Sequence, residues 1–370
     1  MELLNATGMA AGYTLGLDPD GRERLVVAVK GTFTLPSEPD REPVLAQRQR
    51  PLVMADTFTG EPGRSAPRHE VDFAPYKSRC DVLLLGSAHA PEGRPARRVQ
   101  VGLKVGPMTK TFAVVGERRW QGGPLSATPE QPAPFTVMAI SYDRAFGGVD
   151  RLDPDPARHD AYLPNPVGRG WYRFPDSARI DGASMPNTEA LGQPITQPSL
   201  PYSPMAFGPL GRNWEPRRRL AGSYDQHWLD EVCPFLPADF DPAYYQAAPP
   251  DQQMPYLQGG EEVVLLNLDS TGRRQFRLPV KEVPVVFFLS RGGRQEARAI
   301  IDTLVIEPEE GCFTLTWRAN LSLKRNIFEV AQVLVGHKSR AWWRARELGK
   351  TYYASLADLD RQRRREVRGE

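Results

Sequence analysis

"DTLVIEPEEGCFTLTWRANL", residues 302–321, holds two apolar, β-branched runs on either side of Glu307–Gly311. Each run has strand length, and the short polar segment ending in glycine has the chemistry of a tight turn. The stretch reads as a β-hairpin. Its neighbours read the same way. "EEVVLLNLD", "RRQFRLP" and "PVVFFLS" precede it from Glu261 onward, and "EVAQVLV" follows it. The first 125 residues repeat the pattern. "LVVAVKGTFTL" (Leu25–Leu35) follows the turn signal Asp18-Pro19-Asp20-Gly21. "CDVLLLGSAHA" (Cys80–Ala90) reads as a buried strand ending at a glycine. "RRVQVGLKVGPMTKTFAVVGERRW" (Arg97–Trp120) reads as a hairpin with arms Val99–Val105 and Lys110–Val115 and its bend at Gly106-Pro107.

The centre differs. Residues 151–255 hold 18 of the 36 prolines, which excludes long helices and central strands, because proline fixes φ and lacks a donor. The same stretch carries Trp171, Phe174, Phe207, Trp214, Tyr224, Trp228, Phe235 and Phe240. Disordered chain is poor in aromatics, so the expectation is ordered, irregular chain packed by its own rings. From Lys338 the pattern turns helical: "SRAWWRARELGK", then "SLADLDRQRRREV" with Ser355 as N-cap. The expected fold is mainly β: β-sandwich-like sheets, a long proline-rich irregular central region and a helical C-terminus. Four segments follow from composition: an N-terminal β domain over 1–125, the proline- and aromatic-rich region over 126–255, a C-terminal β domain over 256–337 and a basic helical tail over 338–370.

Composition narrows the function classes. The formal charge of +2 argues against a strongly nucleic-acid-binding protein or one built for acidic substrates. The tail from Lys338 to Glu370 is basic, with ten Lys/Arg against five Asp/Glu. Arg361, Arg363, Arg364 and Arg365 could touch nucleic acid, but Asp358, Asp360 and Glu366 interrupt them, and an exposed helix face is the simpler reading. Three separated cysteines, Cys80, Cys233 and Cys312, make a poor disulfide framework and point to a reducing compartment. The N-terminus does not read as a signal peptide, and the longest apolar runs are far too short to span a bilayer. The expected location is the cytoplasm, without membrane contact.

No catalytic constellation stands out. The five histidines lack i,i+3 or i,i+4 pairing, and His69-Glu70 begins like H-E-x-x-H but has Phe73 where the second histidine belongs. No G-x-S-x-G elbow or phosphate loop occurs. No metal or cofactor is expected. The best enzymatic reading is a carbohydrate-active hydrolase using Asp143, Glu215 or Asp225, since glycosidases need two carboxyls near sugar-stacking rings; a sugar-binding module without catalysis is its non-enzymatic counterpart. Each of these acids lies near arginine, and Arg–carboxylate pairs that pin a loop are the simpler account.

Six motifs in fixed order carry a resemblance: "SYDRAFGG" (Ser141–Gly148), "NPVGRGW" (Asn165–Trp171), "MPNTE" (Met185–Glu189), "FGPLGRNWEPR" (Phe207–Arg217), "YDQHWL" (Tyr224–Leu229) and "PFLPADFDPAYYQAAPPDQQ" (Pro234–Gln253). Together they resemble the bacterial domain of unknown function 2169 family over nearly the whole chain. Members of that family are associated with type VI secretion clusters. The resemblance implies an adaptor or chaperone, without enzymatic activity, that binds a type VI effector or a spike-tip protein of the VgrG or PAAR-like kind. On the residues themselves, the rigid aromatic and arginine-rich loops are suited to recognition. The candidate partner-binding residues are Trp171, Arg212, Trp214, Arg217, Tyr224, Asp225 and Trp228.

Overall fold

The computed structural model describes residues 1–18, 20–38, 41–124 and 126–360. The arginines at 361 and 363–365, and the proline of the Asp18–Gly21 turn, lie outside them. In chain order, the strands of the three larger sheets are β1 (Glu2–Asn5), β2 (Ala10–Leu17), β3 (Glu23–Thr34), β4 (Cys80–Leu84), β5 (Arg98–Val105), β6 (Met108–Val115), β7 (Thr188–Glu189) and β8 (Gln253–Met254). They continue with β9 (Glu262–Leu266), β10 (Arg273–Arg277), β11 (Pro284–Leu289), β12 (Arg294–Arg298), β13 (Ile300–Glu307), β14 (Cys312–Ser322) and β15 (Val330–Val335).

The hairpin expected at 302–321 forms as β13 and β14, paired from Ile300↔Arg318 to Glu307↔Cys312 with a register shift at Asp302. Its turn closes on Gly311, whose φ of +62° is a left-handed conformation that costs a glycine nothing. Long-range pairing then builds a six-stranded sheet in the order β8-β4-β13-β14-β3-β2. Strand β14 runs antiparallel to β3 over eleven residue pairs, Cys312↔Thr34 to Ser322↔Arg24. Strand β4 joins β13 in parallel, Thr303↔Asp81 to Ile306↔Leu84. The hairpin expected at 97–120 is β5 and β6, and it belongs to a five-stranded sheet of order β7-β6-β5-β9-β10. Strands from the first 125 residues thus share both sheets with strands from 256–337, and β7 and β8 at the edges come from the centre.

Period-2 alternation sets the two sheets face to face. Leu25, Val27 and Val29 of β3, Phe313, Leu315 and Trp317 of β14, and Val82 and Leu84 of β4 turn one way. They meet Val99, Val101 and Leu103 of β5, Phe112 of β6 and Phe276 of β10 in one continuous core. Phe276 and Phe33, from opposite sheets, both stack on Phe313 with ring centroids 5.4 Å apart. Burying each of these side chains contributes about 1.5–3 kcal/mol relative to leaving it in water.

A third sheet, of order β1-β15-β11-β12, closes one end. Strand β11 is apolar on both sides. Val285 and Phe287 enter the main core, while Val286 and Phe288 face helix α1 (Arg340–Glu347) and pack with Trp342 and Trp343. Ser339 caps this helix by accepting from the Trp342 amide at 3.2 Å. Ser355 likewise accepts from the amide of Asp358, as expected for the second helical segment.

The proline-rich centre is ordered, irregular chain. Strands of two residues and short helical turns alternate there. It has its own small core of Trp120, Phe146, Ile180, Met185, Ile195 and Tyr202. Trp120 is fully buried and donates its indole N–H to the Gly170 carbonyl at 3.1 Å. In chain without long sheet ladders, turns and side chains share the backbone hydrogen bonding. Asn165 is the clearest instance, donating to the carbonyls of both Tyr142 and Phe146.

Candidate functional site

The same alternation that fills the core places charge on the opposite face of the six-stranded sheet. Lys30 of β3, Asp81 of β4, Asp302 and Glu307 of β13, and Arg318 of β14 all lie there, and all are buried. Segments 46–77 and 246–252 form a strap that bonds to them. Lys30 pairs with Asp72 at 2.5 Å, Lys77 with Asp81 at 2.7 Å and Arg318 with Asp302 at 2.5 Å. Glu307 takes both Arg50 and the Nε2 of His69. Between strap and sheet lies a cavity of about 170 Å³ lined by Lys30, Arg50, His69, Asp72, Glu307 and Arg318.

Pairing decides the titration of these groups. Burial works against the charge on Lys77, but Asp81, Asp302 and Glu70 outweigh it and raise its pKa. Burial alone would raise the Glu307 carboxyl; His69 and Arg50 pull it down to about 2. The Cys80 thiol goes the other way, pushed well up by burial and by Asp302 and Asp81. It therefore stays protonated near neutral pH, where it is a poor nucleophile. Each of the six cavity groups is already engaged with another protein group, and together they bind the strap to the sheet.

The stretch 211–242 is built on an extension of this network. Trp214 folds back over Gly211, so closely that a Cβ at 211 would sit 2.6 Å from the indole ring. Trp214 is 3% exposed and meets Tyr142 edge-on at 5.5 Å. Arg217 is equally buried. It makes a bidentate pair with Glu70 at 2.7 and 3.2 Å and donates to the carbonyls of Leu210 and Tyr244. Arg212, half-buried, joins Asp56 at 2.7 Å and Glu70 at 2.5 Å. Burial opposes its charge, yet these carboxylates raise its pKa, and Asp56 is correspondingly lowered despite its own burial. The pairs line a second cavity, of about 280 Å³.

Beyond this base the chain forms a largely exposed lobe, with Phe235 resting against Gly21 of the turn between β2 and β3. The Asp241 amide donates to the Leu220 carbonyl at 3.0 Å and closes its neck. Inside, Asp225 accepts from the Trp228 amide and Ser223 donates to Asp239. The Trp228 indole donates to the Phe235 carbonyl at 2.9 Å, and its ring meets Tyr224 at 4.8 Å. Outside, the lobe exposes Tyr224 (55%), Leu229 (57%) and Phe235 (46%). Residues 220–241 hold five carboxylates, Asp225, Asp230, Glu231, Asp239 and Asp241, and no lysine or arginine.

The structure thus separates the candidate binding residues into three places. Tyr224, Asp225 and Trp228 share the lobe. Arg212, Trp214 and Arg217 form the base beneath it, where burial of Trp214 and Arg217 leaves almost no surface for a partner. Trp171 lies in the small central core, packed on Tyr162 at 5.6 Å. None of the three candidate hydrolase acids, Asp143, Glu215 and Asp225, lines either of the two cavities described above. Asp143 accepts from Thr59 and from the Ala66 amide, and Asp225 serves the lobe. Replacing Asp143 with alanine is expected to cost about 1–2 kcal/mol in denaturant unfolding, since it leaves the Ala66 amide without its acceptor. Among the described residues no group of three or more His, Cys, Asp or Glu side chains could hold a metal ion. No helix among them is long and apolar enough to cross a membrane.

Sequence reading missed the network under the strap. A signal for it existed. Lys30, Asp81, Asp302 and Arg318 are single charges inside otherwise apolar strand patterns, and such charges must be paired when the strand is buried.

A mainly β sandwich with an irregular, salt-bridged central region and a largely exposed acidic, aromatic lobe defines the structural class. The chain belongs to the family described as "Uncharacterized protein conserved in bacteria (DUF2169)", whose model matches residues 20–318. No curated protein and no solved structure gave a match.

Proposed function

We propose that this chain is a type VI secretion accessory protein, an adaptor or chaperone that holds an effector or spike-tip protein for loading, and that the lobe at 220–241 is its docking surface. One observation carries the reading: Tyr224, Leu229 and Phe235 stand exposed among five carboxylates, on a segment whose base is fixed by Arg212 and Arg217. Tyrosine and tryptophan anchors are typical of binding hot spots. A segment already ordered loses little entropy on association. The charge favours a partner segment that is basic. The type VI setting rests on the motif resemblance.

The experiment is co-purification with the effector or spike-tip protein encoded beside this chain. Tyr224→Ala together with Leu229→Ala is expected to weaken binding at least tenfold. The melting temperature should move by only about 2 °C, because both side chains are more than half exposed. Affinity that survives the double substitution would remove the lobe from the interface. Effector stability and secretion unchanged on deletion of this protein would end the adaptor reading itself.

A further inference from the structure

A β-sheet edge is a row of unpaired N–H and C=O groups, and proteins usually shorten, charge or cover it. The edges of the three larger sheets follow this rule with one exception. Strands β7 and β8 are two residues long. Strand β10 carries Arg273, Arg274 and Arg277; strand β12 carries Arg294, Glu296 and Arg298; strand β1 has four residues and carries Glu2. Strand β2 is different. Its eight residues, "AAGYTLGL", contain no charge and no proline. It pairs with β3 along its whole length on one side. Among the described residues no backbone hydrogen bond leaves residues 10–17 on the other side. Tyr13 and Leu15 project from the same face and are 38% and 41% exposed.

We propose that two copies of this chain pair antiparallel through β2, joining their six-stranded sheets into one continuous sheet. The edge fits its own copy. A two-fold axis normal to the sheet keeps the same face up in both chains, so odd-numbered residues oppose odd-numbered ones. With Thr14 on the axis, Tyr13 of each copy lies directly across from Leu15 of the other. The two exposed apolar side chains then cover each other twice, as favourable aromatic–aliphatic cross-strand pairs. The outward backbone groups of β2 find partners in the same step. A formal charge of only +2 on the whole chain adds little repulsion between copies. The interface is isologous and closes as a dimer.

Light scattering on the full chain during size exclusion, at about 50 µM, tests it. The expected mass is twice 41.3 kDa. Tyr13→Lys with Leu15→Lys sets like charges across from each other in both pairs and should give a monomer with an unchanged circular dichroism spectrum. Tyr13→Glu with Leu15→Glu should also give a monomer. Mixing the two variants should restore a 1:1 dimer, which fixes the register as well as the surface. A wild-type monomer overturns the proposal, as does a dimer that survives the lysine variant. If the wild type is monomeric and the lysine variant loses the neighbouring effector, the edge takes a partner's strand instead of a second copy, and the proposal fails on that result too. The dimer is tested by substitutions on β2 and the adaptor reading by substitutions in the lobe, so the failure of one is distinguishable from the failure of the other.

Discussion

Replacing Arg318 with alanine is expected to lower the unfolding free energy by about 3–5 kcal/mol, the range for breaking a buried ion pair by removing one partner. Arg318 and Asp302 are 2% and 1% exposed, among the most enclosed charges of the chain. The guanidinium satisfies both oxygens of Asp302, at 2.5 and 3.2 Å, and donates to the Asp72 carbonyl at 2.6 Å. Alanine leaves Asp302 with only the Thr303 hydroxyl, at 3.0 Å, and the charge of nearby Lys77 to hold its carboxylate. The cost comes from that weakly held charge more than from the lost attraction, because forming the pair also required removing both ions from water. A second variant separates the two contributions. Arg318→Met combined with Asp302→Leu removes both charges and keeps most of the volume, so it should recover most of the loss. Urea unfolding midpoints for the three proteins check this. A single-alanine loss below about 1 kcal/mol would mean that Lys77, Thr303 or entering water takes over the Asp302 carboxylate and that this pair does not fix the strap to the sheet.

That network also marks where the sequence was legible and where it was not. The β13–β14 hairpin and the β5–β6 hairpin are local structures: apolar runs flank a turn, and the chain need only fold back on itself. Both stand where the pattern puts them. Helix α1 was legible as a local pattern too, while its cap, Ser339, is seen only in the structure. "CDVLLLGSAHA" shows the limit of reading by run. It divides into Cys80–Leu84 and Gly86–His89, and the second part pairs with a different strand, Val137–Ile140. The pairing of β3 with β14 and of β4 with β13 leaves no local signature, because it joins residues more than two hundred positions apart. The central region was legible as ordered from its ring content. Which rings would be core was not. Trp214 and Trp228 sit in similar sequence surroundings, yet one is buried and the other lies in the exposed lobe, and the difference depends on Glu70 and Tyr142 from distant segments.

Acid should weaken the strap through Glu307, and the sign follows from the direction of its shift. The folded carboxyl titrates at about 2, against an ordinary value of 4.5. The unfolded chain therefore takes up a proton first as pH falls. The stabilisation from Glu307 is fully present above about pH 4.5 and is lost as pH drops through about 2. Its size is on the order of 3 kcal/mol at neutral pH, and somewhat under half of it is gone by about pH 3.5. A side-chain exposure of only 4% means that solvent screening removes little of this. Glu307→Gln keeps the shape and an acceptor for Arg50 but cannot titrate. Other carboxylates held low, such as Asp56 and Asp269, weaken wild type and variant alike in acid and cancel in the comparison. The stability gap between the two proteins, from urea unfolding, should be widest at pH 6 and close steadily toward pH 3.5. A gap that stays constant over that range would show that Arg50 and His69 do not hold Glu307 ionised, and that shape rather than charge fastens the strap to the sheet.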